Sequence, residues 1–364
     1  MNDKPIRLLV VDDSALARKI ITSSLQPFAD IEVVGTAVDP YAARDRILEL
    51  RPDVLTLDIE MPRMDGITFL KLIMKHRPMP VIIMSSLTQA GSVKAMEALQ
   101  AGAVEVLAKP GSSFSASADG LRLAETIRAA AGARLGLRPA SSPPGAAAPA
   151  RLAPGALAQP RGIAARKIIL LGASTGGTEA LKTVLTSLRG DLPGICIVQH
   201  IPAYFSKAFA ERLNQICPME VREAVSGDLV RRGLALIAPG GKHLLLKWHG
   251  GGYTVELNEG PQVHHQRPAV DVMFDSAVRA GAGPHTVAAL LTGMGSDGAA
   301  GLLRLCEAGA ATAVQNEETC VVFGMPKEAI RLGAAQQVLA LSRIGRFLEQ
   351  PHSEKPQETY AHPN

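Results

Sequence analysis

Short apolar runs recur along the chain at spacings that suit strands alternating with helices. In the first third they read Ile6–Val11, Ile31–Val34, Val54–Leu57, Val81–Met84 and Val104–Leu107. Mostly continuous apolar runs fit strands buried on both faces of a parallel sheet, whereas one-sided strands would alternate polar and apolar residues. Helical patterns lie between them. Asp39-Pro40 reads as an N-cap followed by proline at the first helical position, and Ala43, Ile47 and Leu50 then repeat at i, i+4, i+7. The grammar returns later in Ile168–Leu171, Ile195–Val198, Leu234–Ile237 and Val287–Leu291, with Leu181, Val184, Leu185 and Leu188 on one helix face. Leu244–Leu257, turning at His249-Gly250-Gly251-Gly252, reads as a β-hairpin set into the second α/β unit.

The two stretches are separated by a break in composition. Arg138 to Arg161 is rich in Pro, Ala and Gly and has no hydrophobic period, the signature of a flexible linker. The expected division is a first domain over 1–125, a linker over 126–165, a second domain over 166–350 and a disordered polar tail over 351–364. The chain has 364 residues, 47% hydrophobic and 20% charged, enough for two cores. The excess positive charge behind its net +4 sits in or beside the linker, where Arg128, Arg134, Arg138, Arg151, Arg161, Arg166 and Lys167 lie with no acid between Thr126 and Lys167. With 4% aromatics and no basic stripe on a folded segment, nucleic-acid binding is not expected. No apolar run reaches the roughly 20 residues of a membrane span, so membrane insertion is not expected either. Leu8–Val11 is too short for a leader and runs into Asp12, and a cytoplasmic protein is expected. The four cysteines, Cys196, Cys217, Cys306 and Cys320, form no C-x-x-C pair and read as reduced core thiols.

Chemistry gathers at strand ends. Asp12 and Asp13 end the first run, Asp58 the third and Ser85 the fourth, and Lys109 follows the fifth. In a doubly wound sheet these ends share one edge, where ligands bind. Three crowded carboxylates repel one another and attract a hard divalent cation such as Mg²⁺, while a lysine and a hydroxyl beside them can hold a phosphoryl group carried on Asp58. In the second unit, G-A-S-T-G-G (Gly172–Gly177) follows a strand and opens a helix, a G-x-S-x-G turn that can present Ser174 as a nucleophile. His200, in V-Q-H-I-P, is within reach as its base if its strand neighbours the first. Asp297, in L-T-G-M-G-S-D-G-A-A-G, is the candidate acid to fix the imidazole, or else a cap for the helix that follows it. The turn lacks a P-loop lysine, and the order Ser, His, Asp differs from that of α/β-hydrolases. His264 and His265 read as structural, with no Cys or carboxylate set for zinc, and Cys196 reads as core. Arg267 is open between steering an acidic surface and a structural ion pair.

These pieces carry a resemblance. V-V-D-D-S, D-I-E-M-P-R-M-D-G and A-K-P resemble a two-component receiver over residues 5–125, which implies a flavodoxin-like domain with a parallel five-stranded sheet. It implies Asp58 as phosphoacceptor, Mg²⁺ held by Asp13, Asp58 and the Glu60 carbonyl with Asp12 bonded through water, and Ser85 and Lys109 sensing the phosphoryl group. Val106 departs from the pattern, since many receivers carry an aromatic switch residue there. G-A-S-T-G-G, V-Q-H-I-P, A-P-G-G-K-H-L, R-P-A-V-D-V-M-F-D-S and L-T-G-M-G-S-D-G-A-A-G resemble the chemotaxis protein-glutamate methylesterases. That resemblance implies a doubly wound hydrolytic domain with Ser174, His200 and Asp297 as triad and Thr175 and Met294 lining the oxyanion site. The reaction implied is hydrolysis of glutamyl methyl esters, and deamidation of glutamines, on methyl-accepting chemoreceptors, needing no cofactor of its own. A histidine kinase is implied as phosphodonor. The unphosphorylated receiver is expected to pack over the Ser174 edge. A phosphorylation-controlled adaptor without catalysis, or a hydrolase of a different ester or amide, are the competing readings.

Overall fold

The computed structural model describes residues 4–86, 88–109, 118–133 and 166–350. In the first domain the strands are β1 (Ile6–Val11), β2 (Ile31–Ala37), β3 (Val54–Asp58), β4 (Val81–Ser85) and β5 (Glu105–Ala108), in the spatial order β2-β1-β3-β4-β5. All their pairings are parallel. The helices are α1 (Ala15–Leu25), α2 (Pro40–Leu50), α3 (Gly66–His76), α4 (Gln89–Gln100) and α5 (Ala118–Ala131). As read from the sequence, the Asp39 carboxylate accepts from the N–H groups of Tyr41 and Ala42 at the start of α2. Leu9, Val54, Leu55 and Leu57 are fully buried, because helices cover both faces of the sheet.

The expected boundary at 125 falls inside α5, which continues to Ala131. The alanine-rich end of that helix has little apolar period of its own, yet Ile127 and Ala130 are buried against the sheet. The rest of the expected linker from 134 to 165, and the tail 351–364, lie outside the described residues.

The second domain contains β6 (Ile168–Ala173), α6 (Gly177–Ser187), β7 (Gly194–Gln199), α7 (Phe205–Ile216), β8 (Glu220–Glu223), β9 (Leu229–Val230) and β10 (Leu234–Ile237). There follow β11 (His243–His249), β12 (Gly252–Asn258), α8 (Val270–Arg279), β13 (Thr286–Leu290), α9 (Ala299–Glu307), β14 (Ala311–Gln315), α10 (Met325–Arg331), β15 (Gln337–Leu339) and α11 (Leu341–Glu349). Seven strands form one sheet in the order β15-β14-β13-β6-β7-β10-β8. From β6 the chain winds out to β7 on one side and later to β13 on the other, so the crevice at β6 is the topological switch point. β11 and β12 pair antiparallel with His249 opposite Gly252, the hairpin expected, and β9 adds a third strand to it. Residues of α6, α7 and α11 bury one face of the large sheet. Residues of α8, α9 and the hairpin bury the other. Among the described residues no helix is long and apolar enough to cross a membrane.

The two domains touch. Helix α4 packs on α6 and α7, and their apolar side chains belong to one continuous cluster. Val321 of the second domain lies half-buried against the first domain's core.

Candidate active site

The β6 strand delivers Ser174 directly after Ala173, and β7 delivers His200 directly after Gln199. The two strands pair along their full length, so both side chains emerge at the same carboxyl edge. Asp297 comes from the loop after β13, on the other side of β6. The His200 Nδ1 lies 3.1 Å from the Ser174 Oγ and its Nε2 lies 2.7 Å from the Asp297 Oδ2. An ionised carboxylate only accepts, so Nε2 carries the proton and Nδ1 is free to accept from the serine hydroxyl. All three side chains are buried, at 7% exposure or less.

Asp297 is held by more than the histidine. Its Oδ2 accepts from the Val270 N–H at 2.7 Å and its Oδ1 from the Asp271 N–H at 2.9 Å, the first free donors of α8. It therefore caps α8 across the crevice, while the helix that follows it in sequence begins after Gly298. Burial pushes the Asp297 carboxyl up, but the His200 bond and charge and the two backbone donors outweigh it and hold the group below the ordinary carboxylate range.

The serine turn is fastened by groups the sequence did not single out. Gln199, fully buried, donates to the Ser174 carbonyl at 2.9 Å. Thr292 donates to the Thr175 carbonyl at 3.0 Å, and its own carbonyl accepts from the Ser174 N–H at 3.0 Å. A Cβ on Gly293 would stand 2.3 Å from the Met325 Sδ and 2.7 Å from the Ser174 Cβ, so only glycine lets the two loops meet. Gly176 adopts φ +77°, which turns the chain from the nucleophile into α6. Thr175, two residues before α6, and Met294 border the same cleft, a volume of about 250 Å³.

His264 and His265 also line that cleft. They occupy the two corner positions of a tight turn closed by Val263 and Gln266, with φ of +51° and +58°. The His264 Nε2 bonds the Asp271 carboxylate at 2.9 Å. Burial, then the nearby Asp297 charge, pushes the Asp271 carboxyl up. The carboxylate set thought to be missing around His264 is thus present, as Asp271 and Asp297, within 4.8 Å. Backbone donors and His200 already engage those oxygens. Nothing adjacent in the sequence signals this, because Asp271 and Asp297 come from different elements. Arg267 donates to the Glu259 and Gly260 carbonyls, so it braces its own loop.

In the first domain, Asp12, Asp13 and Asp58 bring carboxylate oxygens within 4.8 Å of one another. Lys109 reaches Asp58 at 2.6 Å and Asp12 at 3.6 Å. Burial, opposed by the Lys109 bond, pushes the Asp58 carboxyl up to about 6. The buried Oδ2 of Asp12 has no hydrogen-bond partner. Crowded, under-neutralised hard oxygens fit a divalent cation. The Glu60 N–H donates to Asp58, and Ser85 ends β4 beside β5 with its hydroxyl on the Gly91 carbonyl at 3.2 Å.

The two sites are joined by a wall. Glu105 and Leu107 of β5 and Arg122, Glu125 and Thr126 of α5 face the cleft that holds Ser174 and His200.

Comparison with known proteins agrees with both halves. The response regulator receiver domain family matches residues 8–115, and the CheB methylesterase family matches residues 169–348. A protein-glutamate methylesterase/protein-glutamine glutaminase of Syntrophus aciditrophicus is 52% identical over 341 residues, 93% of this chain and 97% of its own length. One from Bdellovibrio bacteriovorus is 47% identical over 348 residues, 95% of this chain and 97% of its own. The crystal structure of the Thermotoga maritima CheB methylesterase catalytic domain is 39% identical and covers 50% of this chain and 96% of that domain, with a TM-score of 0.49. A receiver joined to a CheB methylesterase domain, matched along more than nine-tenths of its length by such relatives, places this chain in the family of protein-glutamate methylesterases/protein-glutamine glutaminases.

Proposed function

We propose that the chain hydrolyses glutamyl methyl esters, and deamidates glutamines, on the cytoplasmic helices of chemoreceptors, under control of phosphorylation at Asp58. The observation that carries this reading is the unbroken line Ser174–His200–Asp297 at the switch point of the second sheet. The Ser174 Oγ attacks the γ-carbonyl carbon as its proton passes to the His200 Nδ1. The Asp297 carboxylate stabilises the imidazolium that forms. Thr175 and Met294, with the α6 N-terminus, border the place where the oxyanion develops. Collapse of the tetrahedral species expels methanol, or ammonia from a glutamine, with the proton returned by His200. Water then enters by the same route and releases glutamate. Only the leaving group differs between the two reactions.

On the receiver, the Asp58 carboxylate is the acceptor of a phosphoryl group from a histidine kinase. Asp12, Asp13 and Asp58 with the Glu60 carbonyl would hold Mg²⁺, which when bound neutralises phosphoryl oxygens. Lys109 and Ser85 would contact the transferred group. Glu105, Leu107 and α5 wall the cleft, which supports a receiver that hinders a bulky helical substrate until phosphorylation shifts the arrangement.

Methyl-labelled receptor membranes incubated with wild type and Ser174→Ala, with and without a phosphodonor, test this through released methanol. The expected result is release that needs Ser174 and rises with phosphodonor. No release by either protein refutes the substrate. Equal activity of Asp58→Ala and a receiver-deleted chain refutes the hindrance.

A further inference from the structure

We infer that Glu105 is a stopper in the form of the reaction product: the receiver holds a glutamate carboxylate beside Thr175 and His200, where the glutamate made by hydrolysis stands. This rests on the proposed reading that the product is a glutamyl side chain. A methylesterase site must accommodate a carboxylate on a two-carbon stem at the end of each turnover. Glu105 is the same side chain, carried by the receiver and facing the same cleft as the nucleophile.

Its partners divide between the domains. The carboxylate accepts from its neighbour's N–H, Val106, at 3.1 Å. Arg122, Thr175 and His200 line the same cleft beside it. Burial pushes the Glu105 carboxyl up, and these partners offset only part of that cost. Two of the four, Thr175 and His200, belong to the catalytic domain and are lost when the receiver swings away. Water then takes their place, so the closed arrangement is favoured only modestly, as a switch requires.

Strand β5 ties this stopper to the phosphorylation site. Side chains alternate along a strand, so Glu105, Leu107 and Lys109 lie on one face and Val106 on the other. Lys109, at the end of that row, contacts Asp58 at 2.6 Å. Val106 is buried against the opposite core cluster, and no aromatic side chain at that position is needed for the path. A phosphoryl group on Asp58 pulls on Lys109, two alternations from the stopper.

The test uses the full chain and the rate at which a serine-directed fluorophosphonate labels Ser174. Glu105→Ala and Glu105→Gln without phosphodonor should label at least about tenfold faster than wild type, the effect of losing one buried polar contact in the closed state. With phosphodonor, all three should label alike, which also shows that the variants fold. N-acetylglutamate amide added to Glu105→Ala should slow labelling again, and N-acetylnorvaline amide should not. Unphosphorylated variants labelling at the wild-type rate, while phosphodonor still accelerates wild type, overturn the stopper. No difference between the two amides overturns its likeness to product. Labelling does not depend on the substrate, so methanol release from receptor membranes reports separately on the proposed reading.

Discussion

Replacement of Asp297 by asparagine removes one charge and one acceptor from a carboxylate that accepts three hydrogen bonds. Two of them, from the His200 Nε2 and the Val270 N–H, fall on one oxygen at 2.7 Å. If the new amide nitrogen takes that position, two donors face a donor. His200 escapes by moving its proton to Nδ1, where it points at the Ser174 Oγ and can no longer take the serine proton. If the nitrogen instead replaces Oδ1, it opposes the Asp271 N–H, bonded at 2.9 Å in the wild type. Either way a buried donor loses its acceptor, at a cost of about 1–3 kcal/mol. The imidazolium formed during attack also loses its counter-charge in a site where both side chains are under 5% exposed. A wrong tautomer together with an unpaired imidazolium predicts a fall in kcat of about 10⁴. That corresponds to about 5.5 kcal/mol at 1.36 kcal/mol per decade.

The assay is methanol release at saturating phosphodonor, paired with thermal unfolding. Loss of the α8 cap adds a drop in Tm of about 2–4 °C for each kcal/mol lost. The pH dependence has a fixed sign. The Asp297 carboxyl is held low in the folded protein, so its contribution is complete above the ordinary carboxylate value and disappears as pH falls through its lowered one. The stability gap between wild type and variant should therefore be full at neutral pH and close only below about pH 4. A variant with kcat within tenfold of wild type and an unchanged Tm would refute the role given to Asp297.

Asp58 should behave in the opposite sense: its carboxyl is pushed up to about 6, so without Mg²⁺ the receiver gains stability as pH falls from there toward about 4. Thermal unfolding across that range should show the slope in wild type and a flatter line in Asp58→Asn. Gly293→Ala should destabilise the chain by about 1–3 kcal/mol and slow hydrolysis, because the added methyl meets Met325 and the Ser174 Cβ. A variant as stable and active as wild type would show that the loop relaxes freely. Among the thiols, Cys196 is fully buried and pushed far toward the protonated form, and Cys217 and Cys320 are buried, so an aromatic disulfide reagent should modify the half-exposed Cys306 first. Mass mapping that finds Cys196 modified first would contradict this packing.

Local sequence carried the elements that bury fully. The apolar runs at β1, β3, β4, β6, β7, β10 and β13 were legible because strands covered on both faces must be apolar throughout. The edge strands of the second sheet were not, although β2 and β5 at the edges of the first were. β8 reads E-V-R-E and β15 reads Q-V-L, half-exposed at the margins of the sheet, where burial does not constrain composition. The end of α5 was lost to the linker because its alanines acquire a buried face only from the sheet beneath.

By itself, the sequence determined which chemical groups stand at strand ends: three aspartates and a lysine on one sheet, and a serine, a histidine and an aspartate on the other. Strand ends are set by local pattern, and the residues that follow them inherit a place on the functional edge. Tertiary structure decided what those groups bond to. It made Asp297 the cap of α8 rather than of its own helix, fastened the serine turn with Gln199 and Thr292, and brought His264 beside Asp271. It also set Glu105 of one domain against Thr175 of the other. Such contacts join residues far apart in the chain, and their geometry exists only once both sheets and their helices have packed.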